Sequence, residues 1–281
     1  MRLDDDGGCQ VDGEITSTQN SRVKAARKLQ NKKYRQSRQA TLVESIKTAT
    51  AALQAQVPLE ILFGTPAFLQ QNGDFISRLR SQNTPVFSVN EEIVESISTV
   101  ATPQGMVGVV EQPIWDDEAV LRRVKKSVSR WGGAVILWLD RISDPGNLGA
   151  MIRTAHALGA GAYLCAEGTV ETFNPRVVRA SAGSCFSLPG LRNISLIQAR
   201  ELLSGGSLCV VASSPRAVLE LKDFVPAERT LLVLGEEGEG ISSQTENAAD
   251  VTLSIPMVED AESLNVAAAC SIMLYSLSPF S

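Results

Sequence analysis

Residues 134–160 read AVILWLDRISDPGNLGAMIRTAHALGA, and the fold class turns on how they divide. Ala134–Leu139 is nearly all apolar, as a parallel strand covered on both faces should be. Asp144-Pro145-Gly146 is turn chemistry, Asn147 stands where a helix would begin, and Gly149 allows close backbone approach. Arg153 falls on the first turns of that helix, pointing back toward the strand ends. The same strand, loop and helix order recurs outward from this stretch. Strands are expected at Ala134–Asp140, Ala162–Ala166, Leu208–Ala212, Thr230–Gly235 and Val251–Ile255. Helices are expected at Leu148–Leu158, Pro175–Ala182, Ser242–Ala248 and Leu264–Ser276. The alternation predicts an α/β domain with a mainly parallel sheet.

Upstream the elements are shorter. Val23, Ala26 and Leu29 fall at helical spacing, and a second helix is expected over Leu42–Leu53. Leu59–Phe63, Val86–Val89 and Met106–Val110 read as strands, with helices over Ala67–Ser81 and Glu91–Ser98. The expected organisation is a disordered tail at 1–13, a small α/β unit at 14–112, a charged linker at 113–132 and the parallel-sheet domain at 133–281.

Of the 281 residues, 44% are hydrophobic and 20% charged, enough apolar material for a sizeable core. No stretch approaches the ~18 consecutive apolar residues of a membrane span, and the N-terminus MRLDDDGGCQ lacks a signal peptide's apolar run. It also lacks the basic, acid-poor character of an organelle transit peptide. Cys9, Cys165, Cys185, Cys209 and Cys270 are scattered and odd in number, which argues against disulfides or a zinc site and fits a cytoplasmic protein. With His156 the single histidine, no multi-histidine metal centre can be built. Net charge is −5, but its distribution is uneven. No acidic residue lies between Ile15 and Val43, where Arg22, Lys24, Arg27, Lys28, Lys32, Lys33, Arg35 and Arg38 cluster. Such a basic face is either a solvated helix surface or a phosphate-binding footprint. A second basic cluster, Arg122, Arg123, Lys125, Lys126 and Arg130, falls in the linker, where an ordinary surface helix accounts for it.

Two further loops follow strands, where open parallel sheets bind ligands. LVLGEEGEGIS, Leu232–Ser242, sets Gly235, Gly238 and Gly240 around Glu237. It is neither a P-loop nor a dinucleotide fingerprint, which discourages an NAD-type oxidoreductase. SIPMVEDAESLNVAAA, Ser254–Ala269, offers Ser263 and Asn265 at the start of the last helix.

Singly each loop is ambiguous. Together, in this order, they resemble the three signature motifs of the SpoU/TrmH RNA 2′-O-ribose methyltransferases of the SPOUT superfamily. These are N-x-G-x-x-x-R-[ST] at Asn147–Thr154, G-x-E-G-x-G at Gly235–Gly240, and I-P-M…S-L-N-V at Ile255–Val266. NPRVVRASAGSCFSLP, Asn174–Pro189, is similar to the family's segment between the first two motifs, so the resemblance runs from about Ile136 to the end. ITSTQNSRVKAARKLQNKKYRQSRQATLVES and PQGMVGVVEQP resemble, more loosely, the RNA-binding domain that rRNA-type members carry at the N-terminus.

The resemblance implies a trefoil-knot methyltransferase fold binding S-adenosylmethionine, a homodimer through the C-terminal domain, and RNA as partner, ribosomal RNA before transfer RNA. The cysteine and histidine usage and the lack of a long apolar run call for no metal and no membrane. Leu234, Gly235, Glu236, Gly238, Ile255, Met257 and Leu264 would hold the cofactor. Arg153 would bind the phosphate beside the target ribose, and Asn147 would orient Arg153 or the ribose. Glu237 would fix its loop, while Ser263 and Asn265 complete the wall. Arg22, Lys24, Arg27, Lys28, Lys32, Lys33 and Arg35 would contact RNA. Glu236 and Glu259 stand where relatives often have Asn and Gly, and His156 is read as structural. Two alternatives stand beside this reading: a transfer-RNA ribose methyltransferase, and a non-catalytic RNA-binding protein with the same fold.

Overall fold

The computed structural model of the chain describes residues 11–236, 240–258 and 263–279, of which 243 and 244 by backbone alone. The chain divides into two compact units, one running to Pro113 and taking in Phe173–Phe186, the other being Ile114–Thr172 with Ser187 onward.

The first unit contains β1 (Gly13–Ile15), α1 (Ser21–Lys28), α2 (Lys32–Arg38), β2 (Ala40–Val43), α3 (Ile46–Gln54) and β3 (Leu59–Gly64). It continues with α4 (Pro66–Gln71), α5 (Gly73–Ser81), β4 (Val86–Val89), α6 (Glu91–Ile97) and β5 (Met106–Glu111). Among the described residues its sheet is five-stranded, ordered β1-β4-β3-β5-β2. The first three of these run parallel, and β5 is antiparallel to both its neighbours. Val23, Ala26 and Leu29 from the first helix and the turn after it pack with Ile93, Val94 and Ile97 of α6 onto Leu42, Phe63, Val89 and Val107 of the sheet. Each fully buried Val, Leu, Ile or Phe among them contributes about 1.5–3 kcal/mol.

Three local expectations fail here for identifiable reasons. Leu42 does not start a helix: Ala40–Val43 form a fully buried strand, and Ser45 caps α3 by accepting from the Thr48 N–H at 3.2 Å. The expected single helix over 67–81 breaks at Asn72, whose side-chain amide donates to the Phe68 carbonyl at 2.8 Å. Arg35 is 3% exposed and donates to the Leu29 and Gln30 carbonyls at 2.7 and 2.8 Å, so it braces the turn between α1 and α2 from inside.

The second unit opens with α7 (Asp117–Trp131), then β6 (Ala134–Asp140), α8 (Pro145–Ala157) and β7 (Ala162–Cys165). The next helix, α9 (Pro175–Ala180), belongs to the first unit and packs on β2. The second unit resumes with β8 (Gly190–Arg192), α10 (Leu196–Leu203), β9 (Leu208–Ser213), β10 (Arg229–Gly235), α11 (Ser243–Asn247), β11 (Val251–Leu253) and α12 (Val266–Leu277). Among the described residues the sheet has six strands in the order β11-β9-β10-β6-β7-β8, every pair parallel.

That parallel sheet is what the apolar runs predict. Ile136, Trp138, Leu231 and Val233 pack against Val120 and Val124 of α7 and Leu196, Ala199 and Leu203 of α10. The alternate residues Leu137, Leu139, Leu232 and Leu234 point to the opposite face, where α8 and α12 lie side by side. The charged stretch read as a linker is therefore a 15-residue helix with one face in this core. β8 and α10 are additions to the expected pattern. The helix carries its own signal, a capping box in which Ser195 accepts from Gln198 N–H and Gln198 reaches back to Ser195.

Candidate active site

The carboxyl ends of β9, β10 and β11 point the same way and open into a cavity of about 680 Å³. Its apolar wall is Leu234, Ile241, Ile255, Met257, Leu264 and Val266, and its polar edge includes Ser213, Ser214, Ser263 and Asn265. Parallel sheets place ligands beyond these ends, and the volume falls within the ~300–1,000 Å³ of small-molecule pockets.

The loop leaving β10 forms one side. Gly235 ends the strand, and Gly240 folds back to donate its N–H to the Glu236 carbonyl at 2.9 Å. A Cβ on Gly235 would stand 2.3 Å from the Gly240 carbonyl and 2.4 Å from the Ile241 nitrogen, so only glycine fits. The far end of the loop is held by Asp140, 5% exposed at the end of β6. Its Oδ2 accepts from the Ser242 N–H and the Thr245 hydroxyl, each at 3.3 Å. The Glu236 carboxylate is bonded to the Ser143 hydroxyl in the loop after β6.

The first and third motifs meet through their asparagines. Asp144 caps α8 by accepting from the Asn147 N–H at 2.7 Å, with Pro145 as the first helical residue. Asn265 caps α12, its Oδ1 accepting from the Ala267 and Ala268 N–H groups at 2.9 and 3.3 Å. Its Nδ2 then donates to Asn147 Oδ1 at 3.1 Å, and deeper along the same helix pair Thr154 meets Ser271 at 3.3 Å.

Of the expected site residues, Leu234, Gly235, Glu236, Ile255, Met257, Ser263, Leu264 and Asn265 line the cavity together. Asn147 joins them through Asn265. Glu237, Gly238 and Glu259 lie outside the described residues. Arg153 is not in the lining: it is exposed, and six residues on from Asn147 it sits about 120° around α8. Among the described residues it makes no ion pair, and the Asn147 side chain is engaged with Asn265. His156 is half-buried, and burial first, then the nearby Arg123 charge, lowers its pKa.

The sequence reading passed over Ser213, Ser214 and Pro215, which lie in the lining at the end of β9. A Ser-Ser-Pro turn directly after a parallel strand is the signal that would have found them. It also passed over Asp140 as the anchor of the glycine loop. In the first unit, Arg22, Lys24, Lys28, Lys32 and Lys33 are exposed and Arg27 is half-buried, while Arg35 faces inward. Among the described residues no group of three or more His, Cys, Asp or Glu side chains could hold a metal ion, and no helix is long and apolar enough to cross a membrane.

Comparison with known proteins bears on this geometry. Residues 134–275 match the SpoU rRNA methylase family, and residues 20–108 match the MRM3-like substrate binding domain. An uncharacterized tRNA/rRNA methyltransferase of Synechocystis sp. is 32% identical over 263 residues, 93% of this chain and 92% of the relative. The 23S rRNA (guanosine(2553)-2′-O)-methyltransferase of Bacillus subtilis is 29% identical over 265 residues, 94% of this chain and 98% of the relative. The AdoMet-bound crystal structure of an rRNA methyltransferase from Sinorhizobium meliloti superposes with a TM-score of 0.79 at 28% identity, covering 94% of this chain and 96% of that one. With the second and third motifs lining one cavity, the first tied to it through Asn147, and the family matched over residues 134–275, the chain belongs to the SpoU rRNA methylase family.

Proposed function

We infer that this chain transfers a methyl group from S-adenosylmethionine to a ribose 2′-hydroxyl of ribosomal RNA. The observation that carries it is a strand-end cavity lined by residues of the second and third motifs and joined to the first through the Asn265–Asn147 bond, in a chain similar over 94% of its length to an AdoMet-bound rRNA methyltransferase. The cavity suits the cofactor: residues of three loops border it, and its apolar side chains match an adenine ring and the methylenes of the methionine chain.

Bound there, S-adenosylmethionine supplies an electrophilic methyl group. The chain's task is to hold the ribose oxygen in line with it and take up the hydroxyl proton. No described histidine or cysteine faces the cavity, so the proton leaves through an RNA phosphate or a water held by Arg153. Ser263 and Asn265 complete the wall, Asn147 holds Asn265 in register, and Glu237 and Gly238 belong to the cofactor loop. The unit at 14–112 presents the RNA substrate to the methyltransferase domain at 133–281, 113–132 leads from one to the other with α7 packed on the parallel sheet, and Arg22, Lys24, Arg27, Lys28, Lys32 and Lys33 contact phosphates. The family implies a trefoil knot, a homodimer through the C-terminal domain and a cytoplasmic enzyme. Ile272 and Tyr275, 41% and 55% exposed on α12, support the dimer, and Arg153 then serves the cavity of the second copy.

The test is methyl transfer from radiolabelled S-adenosylmethionine to ribosomal RNA and separately to transfer RNA. Label in ribosomal RNA at one alkali-resistant position, lost in a folded Arg153→Ala, is the expected result. Label in transfer RNA alone would overturn the substrate, and undiminished turnover by Arg153→Ala would overturn its role.

A further inference from the structure

The first unit holds a second, smaller cavity of about 260 Å³ between α1, α2 and the face of the sheet. Its floor is apolar, made by Ala26, Leu29, Ile61 and Val109. Its rim carries two arginines, Arg22 and Arg38, with Tyr34 as an aromatic wall. Arg22 lies over the Phe87 ring at 5.0 Å, and Lys28 sits 5.7 Å from the Tyr34 ring centre. One carboxylate intrudes on this basic surface. Glu60 occupies a β-bulge, where Leu59 pairs with Val110 and Ile61 with Val109, leaving Glu60 the extra residue. Bulges re-aim a side chain, and here the carboxylate lines the cavity with its Oε2 accepting from Arg38 at 2.6 Å.

We propose that this cavity receives one unstacked RNA base, guanine by preference, read by the Glu60 carboxylate. The proposal rests on the reading of the chain as an RNA methyltransferase. A site bounded by an apolar floor, an aromatic wall and guanidinium groups is how proteins hold splayed-out bases, and its volume admits a single heterocycle. A carboxylate accepts and cannot donate, so it selects bases by their N–H groups. Guanine alone presents two adjacent ones, N1–H and the N2 amino group, to the two oxygens of a carboxylate. Adenine and cytosine present one amino group and uracil one imide. Each carboxylate oxygen has two lone pairs, so Oε2 serves Arg38 and a base together. Arg38 thereby fixes the carboxylate and offsets its repulsion of the backbone phosphates, which Arg22 meets at the other rim.

The full-length protein is titrated, by fluorescence anisotropy at fixed salt, into labelled ten-nucleotide oligouridylates carrying a single central guanosine, inosine or uridine. Inosine keeps N1–H and lacks the N2 amino group. The wild type should prefer guanosine over both others by about ten-fold. Glu60→Gln should lose that preference and, with one negative charge removed, bind the all-uridine strand at least as tightly as the wild type does, while Tyr34→Ala should weaken all three by about ten-fold. Both variants should keep the wild-type melting temperature within a few degrees, because neither side chain is fully buried. No guanosine preference in the wild type, or a preference that survives Glu60→Gln, overturns the proposal while methyl transfer to ribosomal RNA leaves the enzymatic reading standing. Absence of both RNA binding and methyl transfer overturns the two together.

Discussion

Replacing Gly235 by alanine should damage cofactor binding while leaving the sheet intact. The added Cβ would lie 2.3 Å from the carbonyl carbon and oxygen of Gly240 and 2.4 Å from the nitrogen of Ile241. Carbon contacts are comfortable from about 3.5 Å, so the returning loop must retreat by roughly 1 Å. The neighbours are backbone, so no rotamer change can absorb the move. The bond from Gly240 to the Glu236 carbonyl, which closes the loop at 2.9 Å, is the first contact to stretch. Overpacking of this kind costs about 1–3 kcal/mol. Strand β10 is anchored by neighbours on both sides, so the cost falls on the loop and on whatever the loop holds. At 1.4 kcal/mol per decade, the Kd for S-adenosylmethionine should rise about 5- to 140-fold. Isothermal titration calorimetry reads this directly, with a thermal melt of the same sample to show that the fold persists. A Kd within two-fold of wild type in a folded Gly235→Ala would refute the assignment of this loop to the cofactor.

Asp140→Ala leaves the Ser242 N–H and the Thr245 hydroxyl without their acceptor, at a cost of about 1–3 kcal/mol. Urea denaturation should show that loss, together with a raised KM for the cofactor; unchanged values in both would contradict the anchoring role. Gly190→Ala is a stability prediction remote from the cavity. Its Cβ would stand 2.0 Å from the Tyr163 ring, which is fully buried, so a loss of about 1–3 kcal/mol or more is expected. An unaltered denaturation midpoint would count against it. His156 has a pKa held below the ordinary imidazole value of about 6.5 by burial, then by Arg123. Protonation therefore favours the unfolded chain: stability is full above about pH 6.5 and declines as pH falls through that value toward the folded pKa. His156→Gln should flatten the stability profile between about pH 7 and 5, and a profile as steep as wild type's would exclude His156 as its source.

The parallel sheet was legible because β6 and β10 lie at its centre, and strands buried on both faces must read as unbroken apolar runs. The cavity was legible because its loops use residues with few other reasons to be there, such as Gly235 against the Gly240 backbone and Asn265 at the α12 cap. What sequence could not supply was direction. Arg35 sits in a basic run with a helical period, yet its guanidinium turns inward to two carbonyls, a choice made by the tight turn between α1 and α2. Arg153 is in the right motif, but its angular position on α8 sets it away from the cavity of its own chain. β2 escaped notice because the partner that buries it, α9, comes some 130 residues later, beyond any local pattern.

That late partner bears on how such a protein can be divided. The match to the substrate-binding family spans residues 20–108, but the physical unit also owns Phe173–Phe186, a piece spelled inside the methylase stretch. There the Phe173 carbonyl accepts from the Thr41 hydroxyl at 2.7 Å, and Arg179 lies 3.7 Å from the buried Glu44 carboxylate. A fragment cut at Pro113 would leave the Thr41 hydroxyl without its acceptor, strip Glu44 of its arginine while Ser98 and Thr99 still donate to it, and uncover the apolar side of β2. A chimera that grafts this unit from a relative must exchange both pieces at once. Residues 40–44 and 173–179 thus form one packing unit, and residues 20–108 cannot be shuffled as an independent cassette.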